Sequence, residues 1–587
     1  MRKMVIAVLA ALGLVQPAAA PAQAERPVAL VGATVVDGNG GAPIPDAVVV
    51  LRGDRIEAVG PRAKVRIPRG AETVDVTGKW ITPGLIDAHV HFFQSASLYT
   101  RPDGLDFSSV VPYAADLNRS KKRLPETFDR YLASGVTTVV DAGGPRWNYE
   151  VRSRAASAPR APRVAVAGPL IATEPTEPQK KLIVDGDAPI ISAATPEEAA
   201  ALARAQLPMK PDLIKIWGIG SGPEGAKKLR EITRAVAAVA HPAGIRVAVH
   251  ATELEQARAA VEGGADVLVH SVEDAPIDDA FIAALKARGV VYVTTVIVHE
   301  GYRDLFNGKP DLTAIERRLG DPFIVSTLSE VPPAIQNQVR GKIPDQTAII
   351  LANLKRAVAA GVRVAAGTDA GNPGTLHGPA IHRELELLAQ AGLTPLQVLS
   401  AATRDAAYAY SPKPHIGLVR AGFRADLLVL DADPTRSVAA LQQIRQVWSR
   451  GRPYDPAALI TPSPEAVVQL QLERYNAHDL EGFLATYAED AEIFDLPNTA
   501  KPSVAGVAKM REVYGKLFAA LPELRCEVGN RLVEGQFVID QEICRESPRG
   551  PVFRASAIYQ VEGGKIRRVW FADPMFGMAP PPAAAGG

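Results

Sequence analysis

The sequence is short of cysteine, of net charge and of long apolar runs, and each shortage excludes something. Only two of 587 residues are cysteines, Cys526 and Cys544. Both lie near the C-terminus, so thiolates are excluded as ligands of any metal held earlier in the chain, unless the domains interleave. Lys and Arg (65) nearly cancel Asp and Glu (64). A nucleic-acid partner is therefore not expected, because such proteins carry a clustered basic excess. Beyond the first 24 residues no segment approaches 18 uncharged apolar residues, the length a membrane helix needs. Stable membrane insertion is excluded on the same ground.

What is present is a globular composition, 47% hydrophobic and 22% charged. The length is too great for one core and predicts two to four domains. Residues 1–24 read as a signal peptide. Arg2 and Lys3 are followed by the apolar run Met4–Val15, and Ala18-Ala19-Ala20 and Ala22-Gln23-Ala24 are small-x-small cleavage sites. The expectation is an exported protein, periplasmic or secreted, maturing near Glu25.

Residues 25–80 contain short strands such as Ala47–Leu51 and Arg55–Val59, split by the turn Arg52-Gly53-Asp54. From 81 to 411 short β-branched runs alternate with longer amphipathic stretches, the pattern of repeated βα units. Eight strand candidates stand out: Leu85–His91, Thr137–Asp141, Arg163–Ala167, Leu213–Trp217, Arg246–His250, Val267–Ser271, Val290–His299 and Arg363–Asp369. Eight units fit a (β/α)8 TIM-like barrel, with a doubly wound open sheet as the competitor. Asp426–Leu430 and Ile444–Trp448 read as strands returning to the N-terminal layer. Residues 25–80 and 412–455 thus predict one small composite β-sandwich. The proline-rich stretch 456–464 reads as a linker, 465–573 as an α+β unit, and 574–587 as a disordered tail.

The chemistry concentrates at strand ends. In Leu85-Ile86-Asp87-Ala88-His89-Val90-His91, side chains alternate faces, so His89 and His91 point the same way and can share a metal. His250, His270 and His299 also close strand candidates, and Asp369 closes the eighth. Half of the ten histidines therefore gather at the face where catalytic residues of such barrels collect. Lys215 sits inside the apolar strand Leu213-Ile214-Lys215-Ile216-Trp217. A buried Lys must reach solvent, pair with an acid or lose its ammonium character.

Pro83–His91, the Lys on strand four, the His on strands five and six, Gly367-Thr368-Asp369 and Gly422-Phe423-Arg424-Ala425-Asp426-Leu427 together resemble the amidohydrolase superfamily, and within it the imidazolonepropionase-like and prolidase-like branch. The resemblance covers about residues 27–455. It implies a metal-dependent hydrolase of an amide C–N bond in a dipeptide, an N-acyl amino acid or a cyclic amide. It implies two divalent ions, zinc by preference. His89, His91 and Asp369 would hold one and His250 and His270 the other, with carboxylated Lys215 and a hydroxide between them. Asp369 would also move the proton, and His299 would contact a small-molecule substrate. A lactone or ester substrate is the alternative within the same site. A non-catalytic ligand-binding protein is the alternative outside it. The segment Gly301–Pro344 is placed to serve as a lid.

Residues 465–573 resemble the NTF2-like (SnoaL-like) fold, a cone of helices on a curved sheet; such folds often pair, so a homo-oligomer is an expectation. Asp495, Asp540 and Glu542 are candidates to face the cone interior, with solvated faces as the alternative. Leu524–Val533 and Phe537–Cys544 predict a hairpin around Glu534-Gly535-Gln536. Mirroring about Gly535 sets Cys526 opposite Cys544, near the separation that a disulfide needs.

Overall fold

The computed structural model describes residues 26–572, apart from 175–176, 308–309, 340–343 and 548–549. The expected leader (1–24) and tail (574–587) lie outside the described residues.

The strands of both flanks form one sheet. Val28–Val35, Ile44–Arg52, Arg55–Pro61, Glu72–Asp75 and Trp80–Pro83 come from the N-terminal flank, and Leu427–Leu430, Ile444–Ser449 and Arg452–Tyr454 from the C-terminal one. Trp80–Pro83 joins them, because it pairs with Val28–Val35 on one side and antiparallel with Leu427–Leu430 on the other. The two flanks thus meet in one unit, edge to edge, as a single hydrogen-bonded sheet of eight strands. Leu30, Val49, Leu51, Leu427, Val429 and Trp448 share one core against it.

The central unit has a TIM-barrel-like α/β fold. Its strands are β1 (Leu85–Val90), β2 (Val136–Asp141), β3 (Arg163–Val166), β4 (Leu213–Trp217), β5 (Arg246–His250), β6 (Val267–Val269), β7 (Val291–Val293) and β8 (Arg363–Ala365). β1 to β3 pair parallel in order, and β4 to β8 do the same. Parallel bridges at Ala167–Leu213 and Val90–Ala370 join these two groups. Alternation decides which side chains face inward. Ile214 and Ile216 of β4 join the helix-side core and Leu213 joins the interior, so Lys215 is on the interior side.

Helices α1 (Tyr113–Lys122) and α2 (Leu124–Ala133) separate β1 from β2, α3 (Val296–Phe306) follows β7, and α4 (Pro322–Thr327) lies within the segment expected to be a lid. Strand seven is shorter than expected. The run Val296-Ile297-Val298 reads as strand locally but forms the first turn of α3. Thr295 turns the chain with φ +60°, and buried Glu384 accepts the Ile297 N–H at 2.8 Å. Tertiary contacts override β-propensity here.

The C-terminal unit sets the helices Pro464–Asn476, Leu480–Leu484 and Val507–Ala520 on a six-stranded sheet. Val538 and Tyr559 of the sheet pack with Phe483 and Tyr487. In its hairpin Glu534 pairs with Phe537, so the turn is centred half a residue beyond Gly535. A bulge between Val528 and Asn530 takes up the difference and brings Cys526 opposite Cys544, which form a disulfide in the structure.

Candidate metal centre

The β1 histidines converge. His89 Nε2 and His91 Nε2 lie 3.2 Å apart, and Asp369 Oδ1 lies 3.4 Å from the first and 3.2 Å from the second. All three residues are buried. Two imidazole nitrogens and a carboxylate oxygen closing on one point make a donor set for a cation. Asp369 Oδ1 has no hydrogen-bond partner, as a metal-ligating oxygen would not. The residues present therefore fit a divalent metal. His250 and His270 stand beside this group with ring centroids 4.3 Å apart, and His270 is 4.9 Å from His89.

Outer contacts orient the rings. His91 Nδ1 meets the Gly143 carbonyl at 2.7 Å and His270 Nδ1 meets Thr295 Oγ1 at 2.8 Å, which turns the other nitrogen of each ring inward. Asp87 clamps β1 to the end of β8: it accepts the Thr368 N–H at 3.0 Å, the Thr368 hydroxyl at 2.6 Å and the His89 N–H at 3.3 Å. Gly367 permits this approach, since a Cβ there would meet Val293 at 2.6 Å and His89 at 3.0 Å. His270 (φ +76°), Thr295 (φ +60°) and Asp369 (φ +60°) all hold left-handed backbone at the ends of β6, β7 and β8. Such strain gathers where a site fixes its side chains.

Lys215 is 1% exposed and makes no ion pair or hydrogen bond among the described residues. The pairing alternative thus finds no partner, and the amine faces the cavity. Burial pulls it down to about 7, against the pull of Asp369 and Asp141. Burial likewise lowers His250 to about 3 and holds His89 and His270 well below the usual imidazole range. These rings are neutral, as ligands must be. Burial would raise Asp369, but His89, His91 and His270 outweigh it and keep the carboxyl ionised.

His299 does not close a strand. It sits in the first turn of α3, where its Nε2 is 3.1 Å from Glu273 Oε2, and it lines the same cavity of about 370 Å3 as Lys215, His250, His270 and Asp369. Sequence reasoning missed several polar residues of this wall, among them Arg101, Tyr302 and Asn372. Arg101 Nη1 and Tyr302 Oη both donate to Asn372 Oδ1 at 2.8 Å, and Asn372 Nδ2 donates to the Asp369 carbonyl at 3.1 Å. They lie on loops and a helix face, where periodicity carries no signal.

The model of the amidohydrolase family matches residues 80–454. The chain belongs to the amidohydrolase family. It is accordingly a hydrolase acting on C–N bonds, in a family that is typically metal-dependent. A SnoaL-like domain matches residues 468–569. The imidazolonepropionase of Caulobacter vibrioides is 28% identical over 325 residues, 50% of this chain and 75% of that protein. That of Chromobacterium violaceum is 26% identical over 65% of this chain and 84% of its own. A solved prolidase-like protein of Bifidobacterium longum superposes with a TM-score of 0.55 at 26% identity, over 73% of this chain and 95% of that one.

In the SnoaL-like domain the acids singled out from sequence are spread. Asp495 is exposed. Asp540 is held by Arg531 through two hydrogen bonds of 2.7 Å, and Glu542 accepts the Tyr559 hydroxyl at 2.6 Å.

Proposed function

We propose that this amidohydrolase cleaves the amide bond of a dipeptide or an N-acyl amino acid, with a cyclic amide as the remaining member of the class. The eight strands form a closed barrel in this reading, and the reaction takes place at their C-terminal ends. The observation that carries it is the buried convergence of His89, His91 and Asp369, whose oxygen lacks any other partner. These three residues would hold one divalent cation. His250 and His270 would hold a second, with Lys215 carboxylated between them, a role supported by its burial without an acidic partner. Zinc suits these donors, and manganese or cobalt is expected to substitute. The metal, when bound, supplies Lewis-acid polarisation of the scissile carbonyl and acidifies water.

The chain's own residues do the rest. Asp369 accepts the proton of the attacking water and returns it to the leaving amine. His299, held by Glu273, contacts the substrate. Arg101 lies in the same wall with its charge matched by Asp103, which accepts two hydrogen bonds of 2.8 Å from it, so it positions Asn372 rather than offering a free cation. An export route through residues 1–24 belongs to the same reading.

A panel of dipeptides, N-acyl amino acids, cyclic amides and lactones, assayed with metal-loaded protein, tests it. Turnover of the first two classes is expected. Turnover confined to lactones, or none on any substrate, would contradict the assignment.

A further inference from the structure

A second charged group lies behind the loop that follows β1. Arg119 of α1, Arg123 just before α2 and Arg130 of α2 line a cavity of about 40 Å3 with Gln94 and Asp321. Among the described lining residues Asp321 is the one carboxylate facing three guanidinium groups. It balances them poorly. Its Oδ2 is 3.4 Å from Arg123 Nη1 and its Oδ1 is 3.7 Å from Arg119 Nη2, and neither contact has hydrogen-bond geometry. Its Oδ1 instead accepts the Phe323 N–H at 3.0 Å and caps α4.

The arginines find little else. Arg130 donates to the carbonyls of Leu319 and Gly320, which are neutral. Arg119 lies 3.6 Å over the ring of Phe323. Arg123 Nε is buried without an acceptor, with exposed Glu126 4.0 Å from it. Gln94 is 4% exposed and its side-chain oxygen is unpartnered; its amide can equally present N–H groups to the cavity. Helix α2 begins at Leu124, but Pro125 offers no N–H and α1 ends at the same point, so the arginines rather than a helix terminus make the site positive. Burial pulls Arg119 and Arg130 below the usual guanidinium range, as expected for cations short of counter-charge.

We propose that this cavity binds one small tetrahedral oxyanion of the sulfate or phosphate class, held by the guanidinium forks of Arg119 and Arg123. Planar forks match oxyanions in pairs of hydrogen bonds, which chloride cannot accept in the same way. The occupied site ties α1 to the start of α2 and to Gln94. Gln94 also lines the metal cavity, so the anion stiffens one wall of the substrate site. The binding claim stands apart from the proposed substrate class; its effect on KM rests on that reading.

Sulfate is the probe, titrated calorimetrically into the full chain with ionic strength held constant by sodium chloride. One saturable site is expected, on the order of millimolar, weakened at least tenfold in Arg119→Gln/Arg123→Gln and less in Arg119→Lys. The absence of a saturable site, or equal binding by the double variant, overturns the proposal. So does chloride competing with equal affinity. Should the double variant not fold, a crystal soaked in selenate decides: an anomalous peak between Arg119 and Arg123 supports the site, and selenate found only elsewhere refutes it. Where a substrate is in hand, sulfate should lower KM about twofold or more with kcat unchanged; binding with KM unmoved removes the coupling and leaves the site.

Discussion

Asp87 shows how much of the centre is built by residues that bind nothing themselves. It is fully buried and holds the backbone of His89 and both polar groups of Thr368, so β1 and the end of β8 keep one relative position. Asp87→Ala should lower metal affinity roughly 10–100-fold, the usual cost of losing an outer contact of a metal site, as read by metal titration; unchanged affinity would deny it that role. Direct ligands should behave differently. His89→Ala and Asp369→Asn are expected to abolish turnover and leave the circular dichroism and Tm of the chain close to wild type. A fully active purified variant of either kind would defeat the mechanism. At this scale the sequence was legible where chemistry and period coincide. His89 and His91 are read from alternation along one strand, and Lys215 from its place inside the apolar run of β4. Arg101, Tyr302 and Asn372 were not legible, because their meeting depends on a loop, a helix face and a turn that come together only in the fold.

At the scale of elements, local propensity went astray where tertiary contacts decide. The run Val296–Val298 is β-branched and apolar, yet Glu384 and the left-handed Thr295 start a helix there, and His299 moves from a strand end to a helix face. The C-terminal hairpin shows the opposite outcome. Its turn is offset from the expected centre, and the bulge at Gly529 returns Cys526 and Cys544 to one register. The cross-link closes a separation of 18 residues. Replacing both cysteines by alanine should cost about 3 kcal/mol by chain entropy, measured by denaturant unfolding, and thiol titration of the unfolded protein should find no free thiol. Two free thiols would reject the pairing. Helix Ala380–Gln390 carries a further test in His382, whose Nε2 meets the Ser134 carbonyl at 2.9 Å. Burial lowers this imidazole to about 4. The unfolded chain takes up its proton near pH 6.5 and the folded one does not, so stability is complete above pH 6.5 and falls as pH drops towards 4. The loss amounts to roughly 3 kcal/mol at about 1.4 kcal/mol per unit. His382→Gln should show a slope shallower by about one proton in this window; an unchanged slope would mean that His382 does not carry it.

For the whole molecule, two features of the sequence foretold the architecture: the β-to-α alternation over 81–411 and the change of element order after residue 464. The return of the second flank to the first was legible in Asp426–Leu430 and Ile444–Trp448; the strand that joins them was not, because Trp80–Pro83 is too short to reveal both of its partners. The account's central claim is a metal centre of two ions built on His89, His91, Lys215, His250, His270 and Asp369. Its most direct test is the metal content of the protein, purified without chelator and measured by plasma mass spectrometry. Two equivalents of transition metal per chain are expected, falling in Lys215→Ala. One equivalent, unchanged in that variant, would contradict the paired centre, and a folded protein that neither contains nor takes up zinc would contradict the metal mechanism altogether.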